Sequence, residues 1–149
     1  MQPTTIEKGY QKYAWILLAI IGAVFIFDAF VYLAGVNPDP PMFQKLLGQS
    51  LGSFNSSFPK GGATITALFQ AWGTTMLGFG IFTIAVSYVP YRRGERWAWY
   101  IMWYLPVFLL LGTAANYMWG GESWPVELGF LLVSLAGLLL PYRKFFAKR

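Results

Sequence analysis

The sequence predicts an all-α integral membrane protein, a four-transmembrane-helix bundle forming one domain over residues 1–149, with a short interfacial helix in its first outer loop. Three observations predict it. Only 11% of the residues are charged while 56% are hydrophobic and 19% aromatic, against about 25% charged in ordinary soluble domains. A soluble domain of this size has no means of hiding so much apolar surface, so the bilayer is the expected solvent. Second, four apolar runs, at 14–35, 63–89, 97–119 and 126–142, are long enough to cross it. Third, the stretch YRRGERWAWYIMWY from Tyr91 to Tyr104 sets a basic turn against a belt of Trp and Tyr, the composition of a short cytoplasmic loop and its interfacial anchors.

The first run, Ala14 to Gly35, has 22 residues, about 33 Å of helix against about 30 Å of hydrocarbon. It follows a polar lead carrying Lys8 and Lys12, with Tyr13 and Trp15 as anchors. A secretory signal peptide is the rival reading of an N-terminal apolar run. This run is longer than the usual h-region of about 7–15 residues and contains Asp28.

Val36 to Gly62 is the one long polar connection, opening on NPDPP, where Asp39 is a candidate N-cap and Pro40 and Pro41 suit a first helical turn. Phe43, Leu46, Leu47, Leu51 and Phe54 recur at steps of three or four. That spacing predicts a short amphipathic helix over Met42 to Leu51, lying on the membrane surface. Asn55-Ser56-Ser57 matches a glycosylation acceptor, meaningful only in a eukaryotic secretory route, and we expect it to be fortuitous.

In the second span, Ala63 to Val89, the residues Thr64, Ala67, Ala71, Thr74 and Gly78 form a stripe of small side chains, flanked by Gly73 and Gly80. Small stripes let helix backbones approach where no hydrophobic effect draws helices together, so this face is expected to meet another helix. Pro90 is expected to end the span and Gly94 to take a left-handed backbone. The third span carries Pro106, which leaves the Met102 carbonyl without its helical donor and predicts a kink. Gly120 to Pro125 reads as a tight turn, and Pro125 and Glu127 suit the first turn of the Leu-rich fourth span.

Charge orients the four spans. Lys8, Lys12, Arg92, Arg93, Arg96, Arg143, Lys144, Lys148 and Arg149 fall on one side and Lys45 and Lys60 on the other. Such asymmetry predicts both termini on the cytoplasmic side, with a prokaryotic cytoplasmic membrane as the expected location and Arg92, Arg93, Arg96, Trp97, Trp99 and Trp103 as inner-interface anchors. The net charge of +5 is confined to short segments beside apolar spans, which fits anionic headgroups and not a nucleic-acid face. Cys and His are both absent, which removes disulfides, thiol redox chemistry and the usual ligands of zinc, haem and iron–sulfur clusters.

Under this topology the polar residues at membrane depth gather toward the outer leaflet: Asp28, Gln70, Thr74, Asn116 and Glu127. One reading makes them an outward pocket, with Asp28 as acceptor or proton-binding group and Glu127 at the mouth. Trp72, Tyr117, Trp119 and Trp124 would be its apolar walls, suited to a lipophilic cation or amine headgroup. The other reading has Asp28 bonded to Gln70 or Asn116, fixing helix register, with Glu127 an ordinary first-turn acid. No phosphate loop, nucleophile–base pair or acidic metal cluster accompanies them.

The stretch from Ala71 to Gly112, with TTMLGFGIFTIAV, RRGERWAW and WYLPVFLLLG, resembles the middle hairpin of small four-helix membrane proteins of the DoxX-like type. The resemblance covers somewhat over a quarter of the chain and implies the four-helix bundle, but no functional residue. Small multidrug transporters share the size and helix count and place an acid in the first helix; here that acid is displaced from the middle.

The function expected is a non-catalytic accessory subunit packing against a larger membrane complex. The alternative is a small transporter or lipophilic-ligand binder built on the outward pocket. Neither catalysis nor a cofactor is expected. The expected partners are membrane lipids, one of which is a possible bound ligand, and other membrane subunits or copies of the chain itself, with no nucleic acid.

Overall fold

A computed structural model describes residues 9–36 and 40–146, and among these every regular element is helical. In chain order the helices are α1 (Gly9–Leu33), α2 (Pro40–Leu47), α3 (Leu51–Ser57) and α4 (Pro59–Val86), which runs into a π-helical turn over Ser87–Tyr91. They are followed by α5 (Arg96–Met102), α6 (Tyr104–Trp119), α7 (Trp124–Leu139) and α8 (Tyr142–Phe146). Among the described residues four stretches are long and apolar enough to cross a membrane: Gly9–Leu33, Pro59–Tyr91, Arg96–Trp119 and Trp124–Phe146. Asp39, Lys8, Lys148 and Arg149 lie outside the described residues.

The four long stretches form a ring. α1 packs on α4 along most of its length, α6 packs on α7, and α7 closes back onto α1. α4 and α6 meet through rings: Phe79 lies against Tyr104 and Phe108, Trp72 stacks on Phe108, and Phe82 meets Tyr104. Leu18, Ile21, Phe25, Met76, Leu105, Leu109, Leu131 and Leu138 fill the centre.

Glycine sets the closest approach. A Cβ on Gly80 would lie 2.6 Å from Ile26 Cγ1 and 2.7 Å from the Gly22 carbonyl oxygen, and one on Gly22 would lie 2.9 Å from the Gly80 carbonyl oxygen. Gly73 lies one register higher, where a Cβ would come within 2.9 Å of the Ala29 carbonyl oxygen and of the Leu33 nitrogen. Close packing of this kind gains many dispersion contacts without needing water to be expelled. The glycines that flank the expected stripe therefore do the packing within the chain. The stripe itself, Thr64, Ala67, Ala71, Thr74 and Gly78, lies on the opposite side of α4 and is exposed.

Pro90 and Pro106 act through their missing N–H. Pro106 deprives Met102 of its donor, and the third span breaks there into α5 and α6, as the sequence predicts. Pro90 departs from expectation: the helix does not end but widens, with the Arg92 amide reaching back five residues to the Ser87 carbonyl. It stops at Gly94 (φ 79°), where the Glu95 amide bonds the Pro90 carbonyl and the Gly94 amide bonds the Tyr91 carbonyl. This paired 6→1 and 5→2 arrangement recurs at Gly35 and Gly120, ending α1 and α6.

The connection after α1 also departs from expectation. In place of one amphipathic helix it holds two, split at Gly48 (φ 70°), with Ser50 Oγ accepting from the Ser53 amide to start the second. Phe43 turns inward onto Phe69, and Lys45 covers Gly120 at the α6 C-terminus, where the exposed carbonyls favour a cation.

Because Gly80 touches backbone and Gly78 meets nothing within 4 Å, the two positions respond differently to bulk. Gly80→Leu is expected to destabilise the detergent-solubilised protein by about 1–3 kcal/mol or more. Gly78→Leu should change it by no more than about 0.5 kcal/mol. Thermal unfolding followed by circular dichroism separates the two.

Candidate functional site

The polar residues at the loop end of the bundle fall into separate settings. Asn116, on the last turns of α6, donates through Nδ2 to Ser123 Oγ at 2.6 Å and to Glu127 Oε1 at 3.0 Å. Because Gly120 and Gly121 turn the chain back within a few residues, α7 starts beside the end of α6 and its first-turn acid faces the α6 amide. The set clamps the α6–α7 hairpin, and Asn116 Oδ1 is buried without a hydrogen bond. Gln70 Nε2 donates to the Leu33 carbonyl at 3.4 Å, joining α4 to the end of α1. Thr74 Oγ1 bonds the Gln70 carbonyl of its own helix at 3.0 Å and faces outward.

Asp28 is half-buried on α1 and makes no hydrogen bond or ion pair among the described residues. Neither Gln70 nor Asn116 bonds it, so the register-fixing pair expected from the sequence does not form, and no hydrogen bond joins the five residues into one pocket. The aromatic residues proposed as walls are dispersed too. Trp72 belongs to the α4–α6 seam, Tyr117 meets Trp124 edge-on at 5.6 Å, and Trp119 is exposed. Chemically the loop end offers carboxylates in different settings: Glu127 bonded by an amide, Glu122 exposed in the α6–α7 turn, and Asp28 without such a partner among the described residues. Among the described residues no three acidic, His or Cys side chains are grouped as metal ligands.

The opposite end, with the Arg turn, is stitched by side chains onto backbone. Tyr91 Oη donates to the Gly137 carbonyl at 2.7 Å and the Trp99 indole to the Leu138 carbonyl at 3.0 Å. Gly137 is available because Pro141, four residues on, has no N–H to give it. Trp99 therefore differs from its expected place at the interface: it is buried, packed against Trp103, Tyr142 and Phe146. Trp97 is exposed and donates to Glu95 Oε2 at 2.6 Å. Arg96 bonds the Phe145 carbonyl at 3.0 Å, and Lys144 the Arg92 carbonyl at 2.9 Å.

A part-buried polar pair has no counterpart among the sequence expectations: Thr83 of α4 meets the Tyr104 hydroxyl of α6, while Ser87 Oγ donates to the Thr83 carbonyl. The spacing of Thr83, Ser87 and Pro90 along one face was the available signal.

Comparison with family models, with curated proteins and with solved structures finds no match, which neither supports nor contradicts the DoxX-like resemblance. The most distinctive surface is the outward face of α4, where Ala67, Ala71, Thr74, Thr75 and Gly78 present little beyond backbone.

Removing the α6–α7 clamp and removing the Asp28 charge should have opposite consequences. Asn116→Leu takes away two donors, one of them bonded to Glu127, and is expected to lower stability by about 1–3 kcal/mol. Asp28→Asn removes a carboxylate whose burial in lipid is unfavourable, so the melting temperature should stay level or rise. A fall with Asp28→Asn would show a compensating partner.

Proposed function

We propose that the protein is a non-catalytic integral membrane subunit, with both termini cytoplasmic, that packs laterally against a larger membrane complex through the outward face of α4. The observation that carries this reading is the pair of small faces on one helix. The face holding Gly62, Gly73 and Gly80 is buried, and at Gly73 and Gly80 it meets α1 backbone to backbone. The face holding Ala67, Ala71, Thr74 and Gly78 has the same character and, among the described residues, no helix on it. Small residues at helical spacing give a neighbouring helix close backbone access.

Membrane insertion is supported by the surface as a whole. Large side chains such as Phe27 (69% exposed) and Leu111 (65% exposed) stand outward along the apolar stretches, an arrangement favoured in lipid and unfavourable in water. Of the described basic residues, Lys12, Arg92, Arg93, Arg96, Arg143 and Lys144 lie at the end that holds the Arg turn and Lys45 and Lys60 at the other, which supports placing the Arg turn in the cytoplasm.

The chain has no native Cys, so a single introduced thiol is a unique handle. Ala71→Cys in native membranes, treated with a short bifunctional crosslinker, should yield a discrete adduct with a different polypeptide, whereas Leu111→Cys on α6 should yield none. Gly78→Leu should reduce co-purification of that polypeptide about tenfold or more, with the melting temperature unchanged. Adducts of equal yield from both cysteines, or none from either, would refute the reading.

A further inference from the structure

We propose that the hollow bounded by Tyr88, Val89, Arg92 and Arg93 binds the phosphate headgroup of an anionic glycerophospholipid. The inference rests on the membrane placement proposed above and is independent of the α4 partner. The hollow measures about 320 Å³ and lies where the α4 stretch gives way to the Arg turn.

Three features make it a phosphate site. The first is charge without a counter-ion among the described residues: there neither Arg92 nor Arg93 forms an ion pair, and the neighbouring acid, Glu95, accepts from the Trp97 indole. Two guanidinium groups offer planar forks of donors that match phosphate oxygens. The second is preorganisation. The Arg92 guanidinium lies 5.4 Å from the ring centres of both Trp15 and Tyr88, which themselves meet edge-on at 5.4 Å. Held against two aromatic faces, it loses less freedom on binding than a solvated arginine.

The third feature selects a lipid over a free anion. Tyr88 and Val89, 53% and 43% exposed, form the apolar wall of the same hollow and continue into the apolar surface of α4. A phosphodiester at the arginines thus leaves its acyl chains lying along that surface. Basic pockets beside the cytoplasmic ends of membrane helices hold anionic headgroups by this combination.

Native mass spectrometry of the full chain in a nonionic detergent, titrated with phosphatidylglycerol or phosphatidylcholine of identical acyl chains, tests the site. Phosphatidylglycerol should be retained about tenfold more strongly. Arg93→Gln should abolish that preference, Arg93→Lys should keep part of it, and Lys60→Gln, at the other end of the bundle, should leave it intact. Circular dichroism confirms that each variant is folded. Equal retention of the two lipids, or an equal loss with Lys60→Gln, would overturn the site. Displacement of the lipid by glycerol phosphate at matching concentration would make a free phosphate the ligand and overturn the lipid assignment. Failure of the membrane reading itself would show separately, as release of the wild-type chain by alkaline extraction.

Discussion

Two helices of this protein touch backbone to backbone, and that contact dictates the remainder. With Gly22 against Gly80 and Gly73 against the last turns of α1, the rotation of α4 about its own axis is settled. Its aromatic residues Trp72 and Phe79 then point toward α6 across a wider gap that only rings span. Its remaining face, small and exposed, is left to whatever surrounds the bundle. A bulky residue at Gly22, Gly73 or Gly80 would alter the α4–α6 seam and the outward face together, because α4 carries both and its rotation is set by this contact.

At the other end of the bundle the governing constraint is the accounting of carbonyls. Within an apolar solvent each unbonded backbone group is unfavourable by several kcal/mol. Pro90, Pro106 and Pro141 each remove one donor, and the chain answers each loss differently. A widened π turn follows the first, a break between two helices the second, and a tyrosine hydroxyl from a neighbouring helix the third. The last answer converts a local defect into a tertiary contact, since Tyr91 and Trp99 tie the Arg turn to the end of α7. Arg92 is thereby carried on a fixed platform.

Much of the architecture was legible in the sequence because apolar length and the positions of Pro and Gly are local properties. The four spans, the kink at Pro106 and the left-handed Gly94 follow from them directly. Helix ends were less legible, since hydropathy reports where the chain is apolar while the hydrogen-bond ladder runs on into polar residues, as at Gly9–Gln11 and Pro59–Lys60. The choice between the two small faces of α4 was hidden, because a 3.6-residue period marks both and the partner is remote in sequence. Trp99 misled for a related reason: whether an aromatic residue stands at an interface or in the core depended on a carbonyl, that of Leu138, at the end of another helix. The polar residues were placed at the right end but not in the right company, as depth along a helix can be counted from sequence and azimuth cannot.

The glycine contact between α1 and α4 also bears on how the molecule is made. Its partners, α1 and α4, are joined through α2 and α3, so the tightest interface lies wholly within a part that leaves the ribosome before α6 and α7. Domains and hairpins that are complete early can form while synthesis continues. The α6–α7 hairpin carries its own clamp at Asn116 and Glu127 and reaches the first pair mainly through α7 crossing α1. The fold thus divides into two hairpins, each held by its own contacts, and one interface that joins them, and the outward face of α4 belongs wholly to the first.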